Sequence, residues 1–173
     1  MNYDVNIIRP EMRTGQVKLR GGDLSAGERR VVRKALRTLH TLEIMATKIY
    51  ACQAGGRRSV LDLALTTAMC NEMTHMQDFQ TKLYEYGIRP SKLRWIYWLA
   101  GYGLGLGSRL LGRQAVLKTA IWTEGKAVDH YGRLLTAVDW EPDMRTVIEK
   151  DQADEHGHIE RWQRLLGSPE TAV

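Results

Sequence analysis

Two Glu-x-x-His motifs constrain this chain more than any other feature: Glu72 to His75 in "NEMTH" and Glu155 to His158 in "DEHGH". In a helix, residues three apart lie on one face about a turn apart, so both side chains of each motif can reach one ion. A lone glutamate precedes each motif by a nearly equal stretch of chain, Glu43 in "LHTLEIM" and Glu124 in "IWTEGKAV". Seven residues after each lone glutamate stands a tyrosine, Tyr50 and Tyr131, two helical turns on and on the same face. One such motif alone is commonly an exposed glutamate beside a packed histidine. Two of them, each with an upstream glutamate among apolar neighbours, imply four buried carboxylates, which is prohibitive unless cations share the site. The fold must then bring four helical segments to one place.

The remaining pattern supplies those helices. No proline stands between Pro10 and Pro90, which suits long helices rather than short strands. Ser25, with Glu28 three residues later, is a capping-box start. From there Val31, Leu36, Leu39, Leu42, Ile44, Met45, Ile49 and Ala51 form a broad apolar face, and "AGG" at 54–56 ends the helix. A second helix is predicted from about Ser59 to Tyr86, with apolar residues at 61, 63, 65, 69, 73 and 76, closed by "GIRPSK". An aromatic, glycine-rich element follows from 93 to about 111, then a helix from about Gln114 to Val138. "DWEPD" breaks the chain before a last helix from about Asp143 to Leu166. The class is all-α: four long helices with one shorter apolar helix between the two pairs. Residues 1–24 read as an N-terminal tail, 25–167 as one domain and 168–173 as a C-terminal tail.

Other features bound the function without choosing it. A net charge of +5 suits an anionic membrane surface and nucleic acid equally well. Cys52 and Cys70 lie in helix-like stretches and read as buried, reduced thiols, which fits a reducing compartment. "MNYDVNIIRPEMRTG" has early acidic residues and no continuous apolar core, so neither a signal nor a transit peptide is expected there. The longest uncharged apolar run, "WIYWLAGYGLGLGS" at 95–108, lies between Arg94 and Arg109. It falls short of the roughly 20 residues a spanning helix needs.

Glu43, Glu72, His75, Glu124, Glu155 and His158 make four carboxylates and two imidazoles on four helices, the ligand set of a ferritin-like di-iron carboxylate site. Carboxylates bridge two cations and compensate their charge, and imidazole gives each iron one firm neutral ligand. Zinc prefers closed four-coordinate sites with fewer carboxylates. Asn71 and Asp154, each directly before a motif glutamate, are placed to accept the second ring N–H of a ligand histidine.

With those residues in view, the chain resembles the demethoxyubiquinone hydroxylases of the ferritin-like superfamily. The resemblance covers about residues 35 to 165 and rests on "LHTLEIMATKIYACQ", "EMTH", "GYGLGLGSRLLGRQAVLKTAIWTE", "HYGRLL" and "EHGH". It implies a ferritin-like four-helix bundle with an additional short, membrane-interfacial helix. It also implies a monooxygenase that hydroxylates the ring of a polyprenylated quinone precursor in ubiquinone biosynthesis. Two iron ions (Fe2+/Fe3+), O2 and an external reductant would serve it. The six residues above match the iron ligands, with Glu72 and Glu155 as the usual bridges. Tyr131 matches a tyrosine beside the site, a candidate relay for protons or electrons, and His130 and His40 also match family positions. Trp95, Trp98, Leu99 and Tyr102 on the apolar helix would meet the membrane interface and the prenyl chain, with the basic run "RRVVRKALR" at 29–37 facing headgroups or plain solvent. Glycines at 101, 103, 105 and 107 would let another helix or a prenyl chain come close.

The expected setting is cytoplasmic, peripheral on the inner membrane face, with a hydrophobic quinone as partner and no nucleic acid. The oligomeric state stays open, a homo-oligomer included. The family usually has Ala-Gly where Thr41-Leu42 stand here, and Asn and Gln where Gly132 and Leu134 stand; His156 is additional. These departures bear on the substrate rather than on the metal. A ferritin-like ferroxidase or peroxidase, or a hydroxylase of another lipid-soluble ring, is the alternative.

Overall fold

Ser25 Oγ accepts the Glu28 N–H, and Glu28 Oε2 accepts the Ser25 N–H at 2.9 Å, so the capping box opens α1 (Ala26–Gln53). The computed structural model describes residues 17–168 apart from 23 and 57. Within them follow α2 (Val60–Glu85), α3 (Arg94–Leu110), α4 (Arg113–Ala137) and α5 (Pro142–Leu166). Ser59 caps α2 by accepting the Asp62 N–H. Gly87, at φ +61°, makes the left-handed turn after α2 that a side chain would strain. Pro142 opens α5, where a missing N–H costs nothing. No strand occurs among the described residues, and the architecture is all-α.

α1 lies along α2, and α4 along α5; α1 also meets α4, and α2 meets α5, closing a four-helix bundle. The apolar interior divides into two clusters. One joins the start of α1 (Leu36, Leu39), the end of α2 (Phe79, Leu83) and the start of α5 (Met144, Ile148). The other joins the end of α1 (Tyr50), the start of α2 (Leu65, Ala68), the start of α4 (Leu117, Ala120) and Trp162 of α5. The glutamates sit mid-helix between these two clusters.

α3 is laid over α1 and touches α4. It buries only Gly101, Gly105 and Ser108. A Cβ on Gly101 would sit 2.5 Å from the Met45 carbonyl oxygen, and one on Gly105 2.6 Å from that of Ile49. Gly103 and Gly107 face open space, so only two of the four glycines serve close approach. Trp95, Trp98, Leu99 and Tyr102 are all exposed. No helix among the described residues is long and apolar enough to cross a membrane.

Three expectations change. Cys52 of α1 is half-buried and Cys70 is exposed, the latter because the inward stripe of α2 runs 65, 68, 72, 75, 79 and 83. The apolar face drawn from 63 and 73 is therefore rotated from the true one, and Leu63 and Met73 lie exposed. Residues 17–22, read as tail, run against the bundle. Arg20 is buried and ion-paired to Asp143 at 2.7 Å, Glu141 at 2.5 Å and Glu85 at 3.5 Å. The rest of the N-terminal reading, at 1–16, and the last five residues lie outside the described residues.

Candidate metal centre

Glu43, Glu72, His75, Glu124, Glu155 and His158 are all buried. They converge as two overlapping groups, Glu43–Glu72–His75–Glu155 and Glu72–Glu124–Glu155–His158, each with its donor atoms within 4.8 Å of one another. The two groups share Glu72 and Glu155. Each shared carboxylate divides its oxygens between the halves. Glu72 sets Oε2 3.7 Å from His75 Nδ1 and Oε1 3.1 Å from His158 Nδ1. Glu155 sets Oε1 3.2 Å from His75 Nδ1 and Oε2 3.3 Å from His158 Nδ1. The lone glutamates each serve one half: Glu43 Oε2 is 3.7 Å from His75 Nδ1, and Glu124 Oε1 3.5 Å from His158 Nδ1.

The donor atoms also pass a test of fit. Both oxygens of Glu72 and Glu155, Oε2 of Glu124 and Nδ1 of both histidines are buried without a hydrogen-bond partner. Buried polar atoms are ordinarily paired. Several of them aimed into one space, all hard oxygen or imidazole donors, suit two cations of the iron or manganese type.

Protons take up the strain between these groups. Burial pushes Glu72 well up, helped by the charges of Glu155 and Glu124. Burial and the Glu155 charge raise Glu124 to about 7. Burial pushes Glu155 up too, but the His158 and His75 imidazoles beside its two oxygens outweigh it and hold it at about 2. Burial lowers both imidazoles, yet the surrounding carboxylates win, raising His75 strongly and His158 to about 11. The pocket thus favours positive charge at its centre.

The residues around the donors orient them. His75 Nε2 lies 3.1 Å from Asp154 Oδ2, which leaves Nδ1 facing the glutamates. Asn71 does not accept from a histidine; its amide donates to Asp154 at 3.5 Å. Tyr131 donates to Glu43 Oε1 at 2.7 Å, and Tyr50 donates to Glu124. Each tyrosine therefore holds the lone glutamate of the other half. Trp162 Nε1 in turn donates to Tyr50 Oη at 3.0 Å. His130 is not brought to the cluster: its ring contact is Arg133, 3.5 Å away. His40 is buried against Gln80 at 3.3 Å.

Sequence reasoning singled out neither Tyr50 nor Asp151 as a site residue. Asp151 is fully buried, 3.7 Å from His75 Nε2 and 3.2 Å from Lys150 Nζ, and burial raises it to about 7. Its signal was its place one turn before Glu155 on the same face.

A narrow passage reaches the carboxylates between α1 and α4, past Leu42, Met45, Ala46, Trp122, Lys126 and Ala127. Leu42 is thus on the approach to the centre. Thr41 is not; its hydroxyl bonds back to the Arg37 and Thr38 carbonyls.

Residues 30–166 match the family described as "Ubiquinone biosynthesis protein COQ7". The chain belongs to this family. Its relatives include the 3-demethoxyubiquinol 3-hydroxylase of Variovorax paradoxus, 32% identical over 142 residues, covering 79% of this chain and 66% of that one. The mitochondrial NADPH-dependent 3-demethoxyubiquinone 3-hydroxylase of Dictyostelium discoideum is 28% identical over 138 residues, covering 76% and 63%. Its mouse counterpart by name is 28% identical over 140 residues, covering 80% and 57%. The chain thus spans just under two thirds of the length of the first two relatives and less of the mouse one. The match takes in all six residues of the buried cluster, from Glu43 to His158, and all five helices except the first residues of α1.

Proposed function

We propose that this chain is a di-iron monooxygenase that hydroxylates the ring of a polyprenylated demethoxyquinone precursor in ubiquinone biosynthesis. Ring C–H becomes C–OH, the second oxygen atom of O2 leaves as water, and an external donor supplies two electrons with two protons. The observation that carries the reading is the pair of donor groups sharing Glu72 and Glu155. The names of the relatives support the reaction class.

Iron bound here would supply the redox chemistry that O2 activation requires. Glu43 and His75 would hold one ion, Glu124 and His158 the other, and Glu72 and Glu155 would bridge them. Tyr131 and Tyr50 keep the terminal glutamates turned inward, and Asp154 keeps the His75 tautomer with Nδ1 free. The apolar passage keeps bulk water from the carboxylates. α3 would lie in the membrane interface, with Trp95, Trp98, Leu99 and Tyr102 among the lipids. Lys48, 4.7 Å above the Trp98 ring, would stand at headgroup level. Attachment would then be peripheral, on the inner membrane face, from which a prenylated ring moves to the passage without crossing water.

Anaerobic Fe(II) loading tests the centre. The expected result is two irons per chain and, after oxidation, the near-ultraviolet shoulder of an oxo-bridged diferric pair. Well under one iron per chain defeats the reading. Rescue of ubiquinone in a hydroxylase-deficient strain tests the substrate, with Glu124→Ala abolishing it. Accumulated demethoxy precursor despite stable wild-type protein removes the substrate claim and leaves the metal centre standing.

A further inference from the structure

The passage to the carboxylates is too small for the ring it is proposed to admit. Its volume is about 50 Å³, whereas an apolar cavity of about 150 Å³ is what accommodates benzene. Side chains at its outer end must therefore give way or be absent for a ring to arrive. The inner wall has little to give. Ala46 and Thr123 are buried, and the four glutamates beneath them are 0 to 1% exposed. The outer part carries Leu42, half-buried on α1, and Trp122, 54% exposed on α4.

Each of these two residues is tied closely to a metal-site glutamate. Leu42 directly precedes Glu43, and Trp122 stands two residues before Glu124. Both lie in mid-helix, where the backbone does not swing aside. Trp122 has no hydrogen-bond or ring partner among the described residues, so no such contact fixes its indole in place. Trp122 belongs to the approach by its position in the lining of the passage, beside Thr123 and Glu124.

We propose that Leu42 and Trp122 form a size filter: their side chains turn aside far enough for a single ring to reach the centre and still stop a wider one. The inference rests on the metal reading above. Both residues act through shape. Neither touches the donor atoms, so ring-free ligands pass them unhindered. The filter makes this chain selective for a slim aromatic head group.

The test uses protein loaded with Fe(III) and three probes: azide, catechol and 2,3-dihydroxynaphthalene. Each is titrated by its ligand-to-iron absorption, with iron retention checked after desalting and folding by circular dichroism. In wild type, azide and catechol bind, and the naphthalenediol binds at least about tenfold more weakly than catechol. Leu42→Ala and Trp122→Ala each raise naphthalenediol affinity by about tenfold and change azide affinity by less than about twofold. Leu42→Phe weakens catechol and spares azide. Trp122→Ala removes an exposed side chain, so it reads the filter even where Leu42→Ala costs stability. Equal naphthalenediol affinity in wild type and both alanine variants, with iron and azide intact, overturns the filter alone. A wild type that holds no iron or shows no azide band overturns the metal reading and the filter with it.

Discussion

At each end of the centre a tyrosine from the opposite half holds a lone glutamate. Tyr131 of α4 reaches Glu43 of α1 at 2.7 Å, and Tyr50 of α1 reaches Glu124 of α4. The pairing staples the two helices that belong to different halves of the sequence. Tyr131→Phe leaves Glu43 Oε1 buried without its donor, a loss of about 1–3 kcal/mol in the metal-free protein. On the proposed metal reading, iron should still load at two per chain, with affinity lowered about tenfold because Glu43 is no longer held. Competition with a chelator reads the affinity; an unchanged value would show that Glu43 is oriented by the metal alone. The seven-residue spacing was visible in the sequence, but the crossing was not. Spacing shows which side chains share a helix face and is silent on what lies opposite. Asp151 escaped notice for a related reason: an aspartate in a charged helix is ordinarily solvated, and only the packing of α2 on α5 buries this one.

Among the elements, α3 sits on α1 through its two inward glycines while its aromatic side chains face outward. A side chain at Gly105 would meet the Ile49 carbonyl oxygen at 2.6 Å and Cys52 Cβ at 2.7 Å, and the backbone of α1 there adjoins Tyr50. Gly105→Leu should therefore lift α3 and cost about 1–3 kcal/mol in denaturant melts. Gly103→Leu, with nothing within 4 Å, should leave the melt no lower and raise it slightly through helix propensity. If α3 is the interfacial element, Trp98→Glu leaves the melt alone and cuts sedimentation with anionic vesicles; unaltered sedimentation argues for another membrane face. Element bounds were legible because their causes are local. The Ser25 and Ser59 caps, Gly87 and Pro142 each act within a turn of the helix end they define. The inward face of α2 was harder to read. Its buried stripe carries Glu72 and His75, so a search for apolar residues alone turns the helix toward Leu63 and Met73.

For the whole molecule, a polar layer divides the apolar interior in two, and without metal only protons can neutralise it. That gives the stability a definite slope with pH. Glu124 and Asp151, each raised to about 7 in the folded chain, keep their protons longer than in the unfolded chain. Their contribution is present below the ordinary carboxylate range and is lost as pH rises through 7. His158, raised to about 11, contributes fully below the ordinary imidazole range and is lost as pH rises from there. Glu155, held at about 2, acts oppositely, but its contribution changes only as pH falls below the ordinary carboxylate range. From about pH 5 to about pH 8 every other shifted group of the layer therefore pulls one way, and the metal-free protein should lose stability. Bound by this layer as proposed, metal would change the sign. It needs the carboxylates ionised and the imidazoles neutral, so binding releases protons and strengthens as pH rises. Calorimetric Tm values across that range, with chelator and with anaerobic Fe(II), should fall in the first series and rise or stay level in the second. A metal-free Tm that climbs from pH 5 to pH 8 would show that the layer is not held by protons. Parallel slopes in the two series would show that the metal does not replace them.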